Sequence, residues 1–293
     1  MAINTLSLFA GCVAIWSTTW LAITFQLGLV APEISVAWRF MLAALVVASA
    51  CIARGLPLRL TRHEHFAMAL MGVTMYSAGY ICVYYAEGHL ASGLVAVGFS
   101  AAPLLSMFGL RLFFGQPLTL RMTVGSLAGI AGIALVFWPE FGRLSNSHDA
   151  STGVLFTLAA VLMSTLGGLL AHRNHRQARH GLPYMAWSMG YGGLFAFAVA
   201  VSLGRTIAFD LSPGYVLSLL YLALVGSVAA FGCWLALIGR VGPARASYVG
   251  VMVPVAALVL STLFEHLEWH PLMVAGMAVS IAGNVLVLRN TAA

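Results

Sequence analysis

Tyr76, Tyr80, Tyr84 and Glu87 recur at intervals that, on an α-helix, stack three phenols and a carboxylate along one stripe. A phenol in an apolar setting requires a hydrogen-bond partner. An aromatic stripe ending in a carboxylate could therefore bind a ring and attract an ammonium group, with Glu87 and His89 at its mouth. The competing reading is helix packing with Glu87 in water. Pro103 and Pro254 each interrupt an apolar run, and because proline donates no backbone hydrogen bond, the carbonyls of Phe99 and Gly250 are expected to lose their usual partners. A bound ligand, water or Ser100 could satisfy them, with the prolines as hinges or as exposed backbone; the alternative is an ordinary kink. Trp16, Ser17 and Thr18 lie well inside the first apolar run, and Ser164 reaches similar depth in the sixth; these groups either line a cavity or bond between helices. Ser227 and Tyr248 complete the polar candidates for a path.

Other chemistry is excluded by what is missing. Every basic side chain is Arg and none is Lys, so there is neither a phosphate-binding loop of the GxxxxGK[ST] kind nor an amine for a Schiff base. Cys12, Cys51, Cys82 and Cys233 sit inside apolar runs and read as small apolar fillers, without a metal or disulfide role. An intramembrane enzyme needs a nucleophile with a base, or a metal cluster, at depth. No His falls inside an apolar run, and Gly98-x-Ser100 has no evident base, so neither catalysis nor a cofactor is expected.

These residues are carried by a chain that is 61% hydrophobic and 8% charged, which cannot solvate its own surface. The expected class is an all-α integral membrane protein. Apolar runs give ten spans, near 6–26, 35–53, 66–86, 91–114, 122–138, 152–171, 183–203, 214–238, 246–264 and 271–288. Met1 to Thr5 hold no basic residue, so the first span is expected to stay in place. Loops on one side hold Arg54, Arg59, Arg62, Arg111, Arg121, Arg173, Arg176, Arg179, Arg240, Arg245 and Arg289, against Arg39, Arg143 and Arg205 on the other. That bias places both termini in the cytoplasm and accounts for the net charge of +6 through lipid headgroups, without nucleic acid. Glu33, Glu87, Glu140, Asp149, Asp210, Glu265 and Glu268 sort to the outer side, and Glu64 to the inner. Trp38, Trp138 and Trp269 are expected at the outer interface, with Trp187 and Trp234 at the inner one.

Sliding the chain along itself until Pro103 meets Pro254 also aligns Leu112-Phe113 with Leu263-Phe264 and Ile130-Ala131-Gly132 with Ile281-Ala282-Gly283. Five spans per half force the second copy to enter the membrane the other way up, and the Arg bias reverses at all corresponding loops, as inversion demands. The expected organisation is a first five-helix repeat at 1–141, an inverted second repeat at 152–290, and a connection at 142–151. Gly125, Gly129 and Gly132, with Gly276, Ser280 and Gly283, supply small faces for close helix contact within the chain, and a monomer is favoured over a dimer.

With these features the sequence resembles the drug/metabolite transporter superfamily, in its EamA type. The resemblance rests on Trp16-Ser17-Thr18, Arg39-Phe40, the paired prolines, the Gly-rich fifth and tenth spans, and Gly115-Gln116-Pro117-Leu118-Thr119, similar to the family's GEPLT turn with Gln in place of Glu. Glu265 or Glu268 is the candidate counterpart in the second half. Within the family the chain looks most like YddG-type aromatic amino acid exporters. That resemblance implies a bacterial inner-membrane protein that releases amino acids and related metabolites by alternating access. A reporter active only in the periplasm, fused at Met1 or Ala293, is expected to stay silent; activity from either end overturns the orientation.

Overall fold

The computed structural model describes residues 4–143, 148–177, 181–246 and 248–288, with the side chains of 139–143, 148–149, 238–239, 242–245 and 288 left aside. Arg143, Arg179, Arg245, Arg289, Glu140 and Asp149 lie outside the described side chains. The described chain is built of helices, and no strand occurs among the described residues. In order they are α1 (Thr5–Thr24), α2 (Pro32–Ala53), α3 (Arg62–Glu87), α4 (Ser92–Phe114), α5 (Leu120–Arg143), α6 (His148–Arg176), α7 (Leu182–Ser202), α8 (Pro213–Leu220 continued through Tyr221–Ala229 and Ala230–Ala246), α9 (Val249–Phe264) and α10 (Pro271–Leu288). Eight are long and apolar enough to cross a membrane; α9 and α10 are shorter apolar helices. Leu29, Leu112, Leu120 and Leu211 are largely exposed on the outer surface, an apolar coat that lipid must cover.

The helices outrun the apolar stretches that announce them. Helix α3 begins at Arg62, where Thr61 and Glu64 form a reciprocal capping box, and therefore takes in His65. Helix α6 continues to Arg176 and takes in His172, which packs edge-on against Phe114. The polar stretch after Ile238 is also helical, so α8 reaches Ala246 and Arg240 falls within the helix rather than in the expected loop. Arg near a helix C-terminus complements the negative end of its dipole, which favours this continuation. The connection expected at 142–151 is helical at both ends for the same reason of overrun.

Packing follows a twofold rule. Exchanging each helix for the one five places on maps α1–α8 contact onto α6–α3 contact, and α1–α9 onto α6–α4, while α2–α7, α4–α9 and α5–α10 map onto themselves. The first helix of each half thus packs mainly on the other half. The tightest seam is α5 against α10. A Cβ at Gly132 would stand 2.5 Å from the Gly276 carbonyl oxygen, and one at Gly276 would stand 2.5 Å from that of Gly132. Gly125 and Gly283 repeat the reciprocal contact at 2.9 and 2.5 Å. Without a hydrophobic driving force in lipid, such backbone approach is what holds helices together.

Two features recur in both halves. The segment Thr74–Ala78 of α3 and the segment Tyr221–Ala229 of α8 are wound as π-helix, and they overlap under the repeat alignment. Helices α4 and α9 both end in a left-handed residue, Gly115 at φ 68° and His266 at φ 57°, at matching positions. Gly276→Ala is expected to lower the melting temperature of the detergent-solubilised protein by roughly 5 °C or more, the scale of overpacking a closed contact. Gly168→Ala, where an added Cβ meets nothing within 4 Å, serves as the control and should leave it unchanged.

Candidate functional site

A cavity of about 310 Å³ lies at the centre of the bundle, within the range of small-ligand sites. Its walls come from α1, α3 and α4 of the first half and from α6, α8 and α9 of the second, a set that is closed under the twofold exchange. Helices α2, α5, α7 and α10 contribute no wall and brace the others. Aromatic rings dominate. Trp16 meets Phe231 edge-on at 5.5 Å and Trp234 at 5.4 Å, and Trp20 meets Phe99 edge-on at 4.9 Å. Tyr80, Thr19 and Ser164 add hydroxyls, and among the described residues no charged side chain lines the space.

Of the residues singled out from sequence, Trp16, Tyr80, Ser164, Pro103 and Pro254 line this cavity. Ser17 and Thr18 turn away from it. The Ser17 hydroxyl lies 2.6 Å from the Val13 carbonyl and 3.2 Å from that of Val253 in α9, while Thr18 meets the Tyr221 hydroxyl of α8 at 2.5 Å. They act as bonds between helices. Tyr76 is buried between Phe40 and Phe231, behind the wall. Tyr76 and Tyr80 both pack on Phe40, but only Tyr80 borders the cavity. Tyr84 and Glu87 are buried beyond the cavity toward the acidic face, and His89 is exposed in the turn after α3. Ser100 sits beside α10, where Asn284 donates to its carbonyl at 3.3 Å. Ser227 belongs to the π segment of α8; it donates to the Leu222 carbonyl at 2.9 Å and accepts from Arg39 at 3.3 Å. Tyr248 lies at the turn into α9, outside the wall.

Trp20, Phe99, Phe231 and Trp234 are the aromatic wall residues that sequence reasoning missed. Trp234 was assigned to an interfacial belt because it falls late in its apolar run, but α8 extends to Ala246 and leaves Trp234 at cavity depth. The repeat alignment offered a signal, since it sets Phe231 at the position that Tyr80 holds in the first half.

On the side of Glu33 and Glu265, polar contacts join helices of the two halves. Gln26 donates to the Tyr215 carbonyl and to Ser218, Ser35 meets the Tyr215 hydroxyl, and Tyr85 donates to Glu33 at 2.6 Å, with Arg205 3.7 Å from the same carboxylate. Glu265 accepts from the Ser92 backbone at 3.1 Å, tying the end of α9 to the start of α4. Glu265 is therefore the one of the two candidate carboxylates that joins the halves.

The two prolines are not equivalent. Helix α4 is interrupted at Phe99 and Ser100, so Pro103 falls in the first turn of the segment Ala101–Phe114, where a missing N–H costs nothing. The Phe99 carbonyl, expected to be bare, accepts from Ala102 at 3.0 Å. Pro254 lies inside α9 and removes the donor that Gly250 would otherwise receive, and both residues border the cavity.

A polytopic helical protein whose inverted halves share one small-molecule cavity has the architecture of a two-repeat membrane transporter. The chain belongs to the EamA-like transporter family, whose model matches residues 4–138 and again 151–289. A probable terminal-alkyne amino-acid exporter of Streptantibioticus cattleyicolor is 27% identical over 84% of this chain and 80% of its own length. The uncharacterized inner membrane transporter YedA of Escherichia coli is 28% identical over 90% of this chain and 86% of its own. A WAT1-related chloroplastic protein of Arabidopsis thaliana is 24% identical over 93% of this chain, which spans 66% of that protein's length. One solved crystal structure shares the fold, with a TM-score of 0.70 at 17% identity and coverage of 98% of both chains.

Pro254→Ala restores a donor to Gly250 and is expected to raise the melting temperature by a few degrees, on the order of one hydrogen bond of about 1 kcal/mol, while slowing transport. Pro103→Ala should leave both nearly unchanged. Equal shifts from the two substitutions would mean that the difference in their helical settings has no energetic weight.

Proposed function

We propose that this chain is a secondary transporter that exports amino acids, aromatic or other neutral ones, and related small metabolites across the bacterial inner membrane by alternating access. The observation that carries the reading is the uncharged, ring-lined cavity shared symmetrically by six helices. Aromatic side chains of a substrate would find edge-on and stacked partners there in Trp16, Trp20, Phe99 and Phe231. The amino-acid exporter among the relatives supports the substrate class. Both termini are cytoplasmic in this reading, and residues 1–141 and 152–290 are the units that exchange roles between the two access states. The glycine faces of α5 and α10 are consumed within the chain, which supports a monomer in the bilayer.

The test is counterflow in proteoliposomes preloaded with unlabelled phenylalanine, reading entry of labelled phenylalanine, tryptophan and leucine. The aromatic pair should exchange faster than leucine. Trp16→Ala and Phe231→Ala should each slow exchange by about tenfold, the effect of roughly 1.4 kcal/mol of lost ring contact. Absence of exchange for every amino acid tried would overturn the substrate class and leave another metabolite as cargo.

A further inference from the structure

Behind Tyr80, on the side of the acidic face, lies a group of charged and polar side chains that the cavity wall does not use. Arg39 of α2 is 1% exposed, Tyr84 of α3 is 0% exposed and Glu87 at the end of α3 is 7% exposed. The Arg39 guanidinium stacks over the Tyr80 ring at 4.5 Å, so it stands directly behind a wall residue, and its Nε donates to Ser227. Among the described residues its Nη1 meets no acceptor, and neither oxygen of Glu87 meets a donor. The Tyr84 hydroxyl lies beside Arg39 and Glu87 without a well-formed hydrogen bond to either. Glu87 therefore forms no hydrogen-bonded pair with Arg39 among the described residues. Glu265, on the facing half, adds negative potential on the Glu87 side of the group while it remains bonded to Ser92.

Buried polar atoms left without hydrogen-bond partners cost free energy, and here Nη1 of Arg39 and both oxygens of Glu87 are so left in one place. The arrangement makes sense when a third group completes it. A zwitterion is the simplest group that offers an anion to Arg39 and a cation to Glu87 at once, and an α-amino acid carries both on one carbon.

We propose that Arg39 and Glu87 form the head-group subsite of the transporter, with Arg39 receiving the substrate carboxylate, Glu87 its ammonium group, and Tyr84 bridging them. This assignment rests on the amino-acid reading of the cavity. The side chain of the substrate occupies the ring-lined space, and Tyr80, which lines that space and carries Arg39 over its ring, separates it from the Arg39–Glu87 group in this conformation. Its ring must swing off Arg39 for the head group to seat. Neither charge has a counterpart in the second half, where the repeat alignment places Gly190 and Ile238, so the subsite belongs to the acidic face alone.

The experiment uses the full chain in proteoliposomes and measures inhibition of phenylalanine counterflow by unlabelled phenylalanine, by 2-phenylethylamine, which lacks the carboxylate, and by 3-phenylpropionate, which lacks the ammonium group. The parent should prefer phenylalanine over both analogues by roughly tenfold or more, as sites built to pair a polar group reject ligands without it. Arg39→Gln should lose the preference over 2-phenylethylamine and keep that over 3-phenylpropionate; Glu87→Gln should do the reverse. Arg39→Lys and Glu87→Asp should retain the parental ranking at reduced affinity. Where a variant exchanges too slowly to read, stabilisation of the solubilised protein against heat by the same three compounds supplies the ranking. Variants that keep the parental ranking, or that weaken all three compounds in parallel, overturn the subsite while the cavity reading stands. A parent that exchanges no amino acid removes the cavity reading itself.

Discussion

Hydrocarbon offers no hydrogen bonds, so each backbone N–H and C=O inside the bilayer must be satisfied by the chain itself, and this one constraint orders the whole molecule. It explains why the bracing helices α2, α5, α7 and α10 run without interruption while the departures from α-helix gather elsewhere. The π-helical turns of α3 and α8, the break in α4 and the internal proline of α9 all fall on helices that wall the cavity. Irregular backbone is tolerable there because side chains, neighbouring helices or a guest can meet the freed groups. Asn284 on the Ser100 carbonyl and Ser227 on the Leu222 carbonyl are two such repairs.

The same constraint separates what the sequence could announce from what it could not. Span positions follow from the length of apolar runs, and inversion follows from the reversal of Arg between the halves, because both are properties of whole segments. The glycine seam of α5 and α10 was equally legible, since only residues without a side chain permit that approach. The aim of an individual side chain was less so. Reading Tyr76, Tyr80, Tyr84 and Glu87 as one stripe assumes an unbroken α-helical period, and a π turn beginning at Thr74 changes the phase without changing composition. Ser17 and Thr18 look like cavity residues by depth alone. Their hydroxyls instead serve the seams of α1 with α9 and α8, a choice fixed by rotation about the helix axis.

Symmetry of the frame coexists with asymmetry of its two faces. The acidic face is tied by bonded side chains, among them Gln26 with Tyr215 and Glu265 with Ser92, and several of these lack a chemical equivalent in the other repeat. Duplicated helices can exchange conformations about a shared centre, but the bonds broken on opening one face differ from those broken on opening the other. The two openings therefore need not be equal in free energy, and the resting balance between access states can be set without any departure from the common fold.

The swapped position of α1 bears on how the chain is made. Among the described helices it leaves the ribosome first, yet the partners it packs against most closely, α8 and α9, come late in the order. Until they arrive it must reside in lipid with Ser17, Thr18 and Thr19 facing no protein. Each of these hydroxyls can bond back to a carbonyl of its own helix, Val13, Ala14 and Trp16 respectively, and so can be sheltered while the helix stands alone. Assembly would then end with the second half recruiting a waiting helix, so that a chain stalled before α8 would leave its first segment inserted but undocked.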